Sequence, residues 1–375
     1  MSDQFYAARD KIMGGLYRQV LKRFFFLQDP ERVHDGMISM GERLGKYAAA
    51  CALVGEAFGY ENKILEQTLL GIDFASPIGL AAGFDKDARL TQILPAVGFG
   101  FGEVGSITGE VCGGNPKPRL QRLPKSRSLL IYYGLKNDGC ETISARLEKQ
   151  NFKIPIGISV AKTNCAATVP TEAGIADYLK AFKIFVDRGV GDYFTINISC
   201  PNAFGGQPFT DADSLEKLLT AINQVPTTKP IFIKLSPDLS REEIDRILGT
   251  TGRHRIDGFI CTNLTKNRDS TKIKETKILE KGGLSGHVVQ GLSDDLIKYI
   301  YRKVGDRYVI IGCGGIFSAE DAYRKIRLGA SLIQMITGMI YQGPQVIGEI
   351  NRGLVKLLRR DGFKNISEAV GVDNR

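Results

Sequence analysis

The stretch Ile310-Ile311-Gly312-Cys313-Gly314-Gly315-Ile316 decides the fold. It is a short apolar run, of the kind that forms a strand buried on both faces, and it goes straight into a double glycine. The same pattern recurs from about Leu65 onward: an apolar, β-rich run ends in small or polar residues and gives way to helical periodicity. The run ends fall at Ala82-Gly83, Gly105-Ser106, Ser159-Val160-Ala161, Ile198-Ser199-Cys200, Lys234-Leu235-Ser236, Thr262-Asn263, Gly314-Gly315 and Thr337-Gly338. Eight such units are what a closed parallel barrel requires. The predicted fold class is therefore α/β, a (β/α)8 TIM barrel. A short hairpin is expected ahead of it, from Thr68 to Ile72 and turning through Asp73.

The first sixty or so residues read differently. Leu16 to Phe26 mixes Arg18, Lys22 and Arg23 with Leu, Val and the run Phe24-Phe25-Phe26 at helical spacing. A second helix is expected to open at Asp29-Pro30, with Asp29 as N-cap and Pro30 at the first helical position, and to continue to about Met40. Two readings fit this segment: helices that cover one end of the barrel, or a basic amphipathic pair that rests on a membrane and admits a lipid-soluble molecule. The most apolar stretch, around Tyr47 to Tyr60, is broken by Glu56 and falls short of the ~20 residues a membrane span needs. The start of the chain carries no signal-peptide pattern.

Composition narrows the function classes. With 375 residues, 43% hydrophobic and 24% charged, the chain has ample material for a core and is not of disordered type. The 43 glycines exceed average usage and suit tight βα turns and phosphate-cradling loops. A net charge of +9 without aromatic-basic interleaving does not indicate nucleic acid. Seven cysteines without a CxxC pair or a cysteine-histidine cluster indicate neither a disulfide framework nor a metal site, and suit a reducing compartment.

Since active sites of this fold lie at the carboxyl ends of the strands, the polar residues there should converge. Gly314-Gly315 and Thr337-Gly338, after the seventh and eighth strands, suit a phosphate, and Gly282-Gly283-Leu284-Ser285-Gly286 is expected as a third glycine loop. In Asn197-Ile198-Ser199-Cys200-Pro201-Asn202 two amides bracket a cysteine; amides both donate and accept, as a planar amide-rich ring requires, and the thiol is a candidate base. Lys86 and Lys234 at strand ends call for an anionic partner.

Together these segments resemble the dihydroorotate dehydrogenase family. The resemblance rests on Ala81-Ala82-Gly83-Phe84-Asp85-Lys86-Asp87, Gly114-Asn115-Pro116-Lys117-Pro118-Arg119, Asn197 to Asn202, Thr262-Asn263, Gly282 to Gly286, Gly312 to Ile316 and Gly343-Pro344. The segment Leu27 to His34 and the tail from Asp361 to Val372 are similar to the class 2, quinone-linked branch. The resemblance implies Cys200 as the base; Lys86, Asn197, Asn202 and Asn263 as holding dihydroorotate or orotate; and Ala82, Gly83, Ser106, Ser159, Asn197, Lys234, Thr262, Ser285, Gly286, Gly314, Gly315, Thr337 and Gly338 as holding FMN. It places His34 and Arg122 along a quinone path. Residues 1–62 would form a helical extension in contact with membrane and quinone, and residues 63–375 the FMN-binding barrel. The expected location is a peripheral membrane protein on the cytoplasmic face, or the cytoplasm.

Departures from the class 2 pattern are as informative. Class 2 members carry serine where Cys200 stands, so Ser199-Cys200-Pro201-Asn202 resembles class 1, as does Ser159-Val160-Ala161. Ile131 replaces an asparagine that contacts the substrate, and Ile336 replaces a tyrosine near the quinone path. A class 1-like enzyme using fumarate or a nicotinamide acceptor, and a non-redox barrel that binds a phosphorylated ligand, are the alternatives.

Overall fold

The computed structural model describes residues 3–374. Eight strands, β1 (Ile78–Leu80), β2 (Phe101–Ile107), β3 (Ile156–Val160), β4 (Tyr193–Asn197), β5 (Ile231–Leu235), β6 (Gly258–Cys261), β7 (Val309–Cys313) and β8 (Leu332–Met335), pair in parallel in chain order, and β8 returns to β1 to close the barrel. They are largely apolar because each has the barrel interior on one side and a helix on the other, and their polar residues, such as Glu103, Asn197 and Lys234, are buried. All seven residues of β2 are buried, as are all five of β3, β4 and β5.

The period-2 alternation of a strand then separates two cores. Ile158, Phe194, Ile196, Leu235 and Ile310 face outward against the helices. Phe101, Tyr193, Phe232, Ile260, Ile311 and Leu332 face inward and fill the amino-terminal end of the barrel. A hairpin of Gln67–Leu69 and Ile72–Phe74 lies across that end, and Leu69, Ile72 and Phe74 join the same plug.

The hairpin corrects one expectation. The chain reverses at Leu70-Gly71, both with positive φ (53° and 76°), and Asp73 lies in the second strand opposite Thr68. A two-residue hairpin turn needs left-handed backbone at both central positions, which Gly71 adopts freely. The Asp73 carboxylate instead accepts a 2.6 Å hydrogen bond from the Thr68 hydroxyl across the pair. The segment Gly283–Gly286 is likewise a strand, paired with Ser128–Ile131, which in turn pairs with Leu120–Leu123, in a small antiparallel sheet beside the barrel mouth. Gly282 and Gly286, at φ 122° and 83°, mark its two ends.

Ahead of the barrel, α1 (Asp3–Leu16) continues through a π-helical stretch, Tyr17–Leu21, into α2 (Lys22–Leu27). The next helix, α3 (Pro30–Gly45), begins as its sequence demands: the Asp29 carboxylate accepts from the Arg32 N–H at 2.9 Å and Pro30 takes the first position. It runs one turn further than Met40, and α4 (Ala48–Phe58) follows. These helices are tied to the barrel by Tyr17 Oη donating to the Ile340 carbonyl (2.7 Å), Arg352 on Asp10 (3.0 Å) and Arg119 on Glu31 (2.6 Å). Facing away from the barrel, Ile12, Leu16, Val20, Phe24 and Leu27 form an exposed apolar stripe at steps of four and three residues. No described helix is long and apolar enough to cross a membrane.

Candidate active site

Strand alternation aims the chemistry. Tyr193 sits in the plug, so Thr195 and Asn197 point inward at successively higher levels; Phe232 does the same for Lys234, Ile260 for Thr262 and Ile311 for Cys313. At mid-height Glu103 is fully buried, and one carboxylate oxygen accepts from Thr195 Oγ1 (3.0 Å) and Gln334 Nε2 (2.9 Å). Above it opens a cleft with a cavity volume of about 190 Å³, between the barrel mouth, the small antiparallel sheet and α3.

Nearly every residue singled out from the sequence lines this one cleft: Lys86, Asn197, Cys200, Asn202 and Asn263; Ala82, Gly83, Ser106, Lys234, Thr262, Ser285, Gly286, Gly314, Gly315, Thr337 and Gly338; and His34 from α3. Two do not. Ser159 is fully buried one layer deeper, its hydroxyl 2.7 Å from that of Ser106. Arg122 shares the face of the small sheet that carries the cleft-lining Leu120 and Leu129 but lies beyond the cleft, stacked 4.8 Å from the Phe26 ring and donating to the Gln28 carbonyl at 2.7 Å. Ile131 and Ile336 both line the cleft, where they present aliphatic surface.

The amides form a preset network. Asn197 donates to Ser106 Oγ (2.8 Å) and accepts at 3.2 Å from Asn263 Nδ2, which also donates to Ser199 Oγ (3.0 Å). Asn202 donates to the Ile131 carbonyl (2.8 Å), while its own carbonyl accepts from Asn115 Nδ2 (3.1 Å). The loop carrying Cys200 is thereby tied to the Gly114–Arg119 segment, whose Arg119 donates to the Gly113 and Asn115 carbonyls.

Lys86 is the electrostatic focus. The turn that carries it is fixed by Asp85, fully buried, whose carboxylate accepts from the Arg89 and Leu90 N–H groups at 2.8 Å each. Burial nevertheless pushes the Asp85 carboxyl up to about 6. The Lys86 ammonium is 92% enclosed, lies 3.9 Å over the Tyr133 ring and has no hydrogen-bond acceptor among the described residues. Burial lowers it to about 8, against the pull of Asp35. A buried ammonium without an acceptor marks the place of an anionic ligand.

His34 stands on the α3 wall of the cleft, its Nε2–H donating to the Phe84 carbonyl (2.9 Å) and its Nδ1 3.1 Å from Asp35. Burial, then the nearby Lys86 charge, lower its pKa. Burial also pushes the Cys200 thiol up, opposed by the Asn202 N–H, Lys162 and Lys266. Lys136, Tyr133, Gln334 and Cys313 complete the lining and were not singled out from the sequence. Alternation along β7 and β8 marks Cys313 and Gln334 as inward-facing; Tyr133 and Lys136 lie in irregular chain after Ser128–Ile131, where no periodicity applies.

The lining fits a flavin phosphate group. Gly83, at φ 108°, has no protein atom within 4 Å of where a Cβ would be, so its backbone borders open space. Gly314 and Gly315, at φ 120° and 73°, turn their backbone toward the cleft beside Ser285 and Thr337, whose hydroxyls are 2.8 Å apart.

Comparison with known proteins agrees with this geometry. The profile of the dihydroorotate dehydrogenase family matches residues 64–358. A dihydroorotate dehydrogenase (quinone) of Trichodesmium erythraeum is 37% identical, covering 97% of this chain and all of that protein. One from Natronomonas pharaonis is 38% identical over 96% of this chain and 99% of its own length. The crystal structure of ligand-free DHODH from Eimeria tenella superposes with a TM-score of 0.81 at 30% identity, covering 92% of this chain and all of that one. With its barrel, its clustered strand-end residues and relatives matched over almost their whole length, this chain belongs to the dihydroorotate dehydrogenase family.

Proposed function

We propose that the protein oxidises dihydroorotate to orotate in de novo pyrimidine biosynthesis, with FMN as cofactor and a quinone as electron acceptor. The observation that carries this reading is the meeting of Cys200, Lys86 and three asparagines in one cleft whose far wall is α3 of the amino-terminal helices.

Bound FMN would supply the hydride acceptor. Its phosphate suits Gly286, Gly314, Gly315, Thr337 and Gly338, and its ring the surface formed by Ala82, Gly83, Ser106, Lys234 and Thr262. Ser159 acts one step removed, by orienting the Ser106 hydroxyl. Lys86 offers its charge to the substrate carboxylate, while Asn197 and Asn263 exchange the hydrogen bond between them, and Asn202 its bond to the Ile131 carbonyl, for bonds to the pyrimidine amides. Cys200 takes the C5 proton: the C5–H bond breaks, the S–H bond forms, and the electron pair left at C5 becomes the new double bond as hydride departs from C6. A thiol has an ordinary pKa near ~8.5, far below that of serine, so less help is needed to make it a base at neutral pH. Ile131 gives up the hydrogen bond of the asparagine it replaces and leaves only its main-chain carbonyl, already used by Asn202.

Residues 1–62 form the quinone- and membrane-associated extension in this reading, with the barrel in 63–375. Its support is the exposed stripe Ile12, Leu16, Val20, Phe24 and Leu27 with the exposed Arg23 beside it, a pattern suited to lying in the headgroup region of an anionic cytoplasmic leaflet. His34, on α3 of that extension, faces the cleft near the Lys86 charge. Arg122, stacked on Phe26, borders the same helices.

Adding dihydroorotate to the yellow protein without oxygen should bleach the flavin, and a quinone should restore the colour faster than fumarate or a nicotinamide. Restoration by fumarate alone would overturn the acceptor assignment. Cys200→Ala should stay yellow and lose flavin reduction by about 100-fold or more, as expected for removal of a general base; fast bleaching of that variant would remove Cys200 from the chemistry.

A further inference from the structure

Cys200 faces two spaces. One is the main cleft; the other is a small cavity behind it, bordered by Ala161, Lys162, Tyr178, Asn197 and Gln207. Lys162 leaves the end of β3 and is only 3% exposed. Its Nζ donates at 2.8 Å to the carbonyl of Phe204, four residues beyond Cys200, and it makes no ion pair among the described residues.

A buried ammonium bonded to one neutral carbonyl is costly unless an anion comes close. The nearest carboxylate, Asp177, is spoken for: it accepts from the Thr163 N–H (2.6 Å), Thr163 Oγ1 (2.8 Å) and the Gly109 N–H (3.2 Å). Two sulfurs remain near Lys162, those of Cys165 and Cys200, and of these Cys200 is the one that lines the same cavity. The geometry points to Lys162 as a positioning residue for Cys200, one whose hydrogen bond holds the loop that carries the thiol and whose charge favours the thiolate needed to accept a proton.

This rests on the reading of Cys200 as the base. The charged and titratable groups around the thiol are Lys162 and Lys266, which favour the anion, and Cys112, which opposes it. Around Lys162 they are Cys165, Asp177 and Cys200, all of which favour the ammonium, while burial disfavours it. Tyr178, on the cavity wall, has its hydroxyl committed to the Asn197 carbonyl at 2.8 Å and is pushed by burial far above the physiological range. Gln207 donates to the Ser199 carbonyl at 3.1 Å, so the wall opposite Lys162 is already hydrogen-bonded.

The two parts of the role separate by substitution. Lys162→Gln keeps a donor for the Phe204 carbonyl and removes the charge, Lys162→Met removes both, and Lys162→Arg keeps both. On the FMN-loaded protein, the rate of Cys200 alkylation by iodoacetamide is followed against pH by mass spectrometry of the peptide that contains it, beside stopped-flow reduction of the flavin by dihydroorotate. The expected result is a midpoint about one pH unit or more higher in the Gln and Met variants, hence alkylation roughly tenfold slower near pH 7, with the Arg variant close to wild type. A Lys162→Gln profile that superimposes on wild type overturns the charge partnership. Alkylation is read without catalysis, so it is independent of the base reading. If Cys200→Ala still reduces its flavin quickly, the base reading fails, whatever the alkylation profiles show.

Discussion

Lys86 is a buried cation placed to receive an anionic ligand. Its pKa, lowered by burial to about 8, means that the ammonium is complete below that pH and lost above it. An anionic ligand binds the charged form, so the sign is fixed: orotate affinity should be flat to about pH 7.5 and then weaken by about tenfold per pH unit above 8. Calorimetric titration with orotate across this range checks it, and unchanged affinity at pH 9.5 would mean that another group supplies the charge. Residues of this kind were legible in the sequence because strand ends in a parallel barrel share one rim, so Lys86, Asn197, Cys200 and Asn263 had to meet once the strands were placed. Lys162 was not. Its significance comes from where the chain goes after β3, and that path is set by tertiary packing around Asp177 rather than by any local periodicity. Ser159 shows the converse: it occupies a strand-end position yet does not line the cleft and touches Ser106 instead, because the last inward level at β3 is already beneath the rim.

At the scale of elements, the glycine-rich junctions divide into those that need backbone freedom and those that need space. Gly338 is of the second sort: at the start of the helix Thr337–Gln342, an added Cβ would lie 1.9 Å from the Ile316 carbonyl oxygen. Gly338→Ala must therefore push β7 and β8 apart where a phosphate would sit, and the purified variant is expected to retain less than about a tenth of the wild-type flavin, a loss worth about 1.4 kcal/mol of binding. Absorbance at the flavin band per mole of protein measures it. The exposed stripe on α1 and α2 makes a second prediction: Leu16→Glu with Phe24→Glu should abolish co-sedimentation with anionic vesicles and leave flavin bleaching by dihydroorotate intact. Equal binding of variant and wild type would make the stripe irrelevant to membranes. The helices were readable from caps and spacing, including the Asp29-Pro30 start. The turn at Leu70-Gly71 and the strand Gly283–Gly286 were not, since each depends on a partner strand: Ile72–Phe74 fixes the register of one, and Ser128–Ile131 recruits glycines that otherwise read as loop.

For the molecule as a whole, the pair Glu31–Arg119 joins the amino-terminal helices to the loop behind the active site. Both side chains are largely enclosed, 6% and 7% exposed, and the guanidinium also holds the Gly113 and Asn115 carbonyls. Removing Arg119 leaves the buried Glu31 carboxylate with only Lys117 at 3.5 Å and Lys136 at 3.9 Å, so Arg119→Met should cost on the order of 3 kcal/mol, read from urea unfolding followed by circular dichroism. A change under about 1 kcal/mol would mean that α3 is held by apolar contacts alone, as ordinary exposed pairs would imply.

The hairpin that seals the amino-terminal end has a last consequence. Phe74 and its neighbours turn the ring of strands into a cup instead of a tube. Nothing reaches the strand ends through that floor, so every molecule that reacts there arrives from the carboxyl side, over the loops and helices that frame the rim.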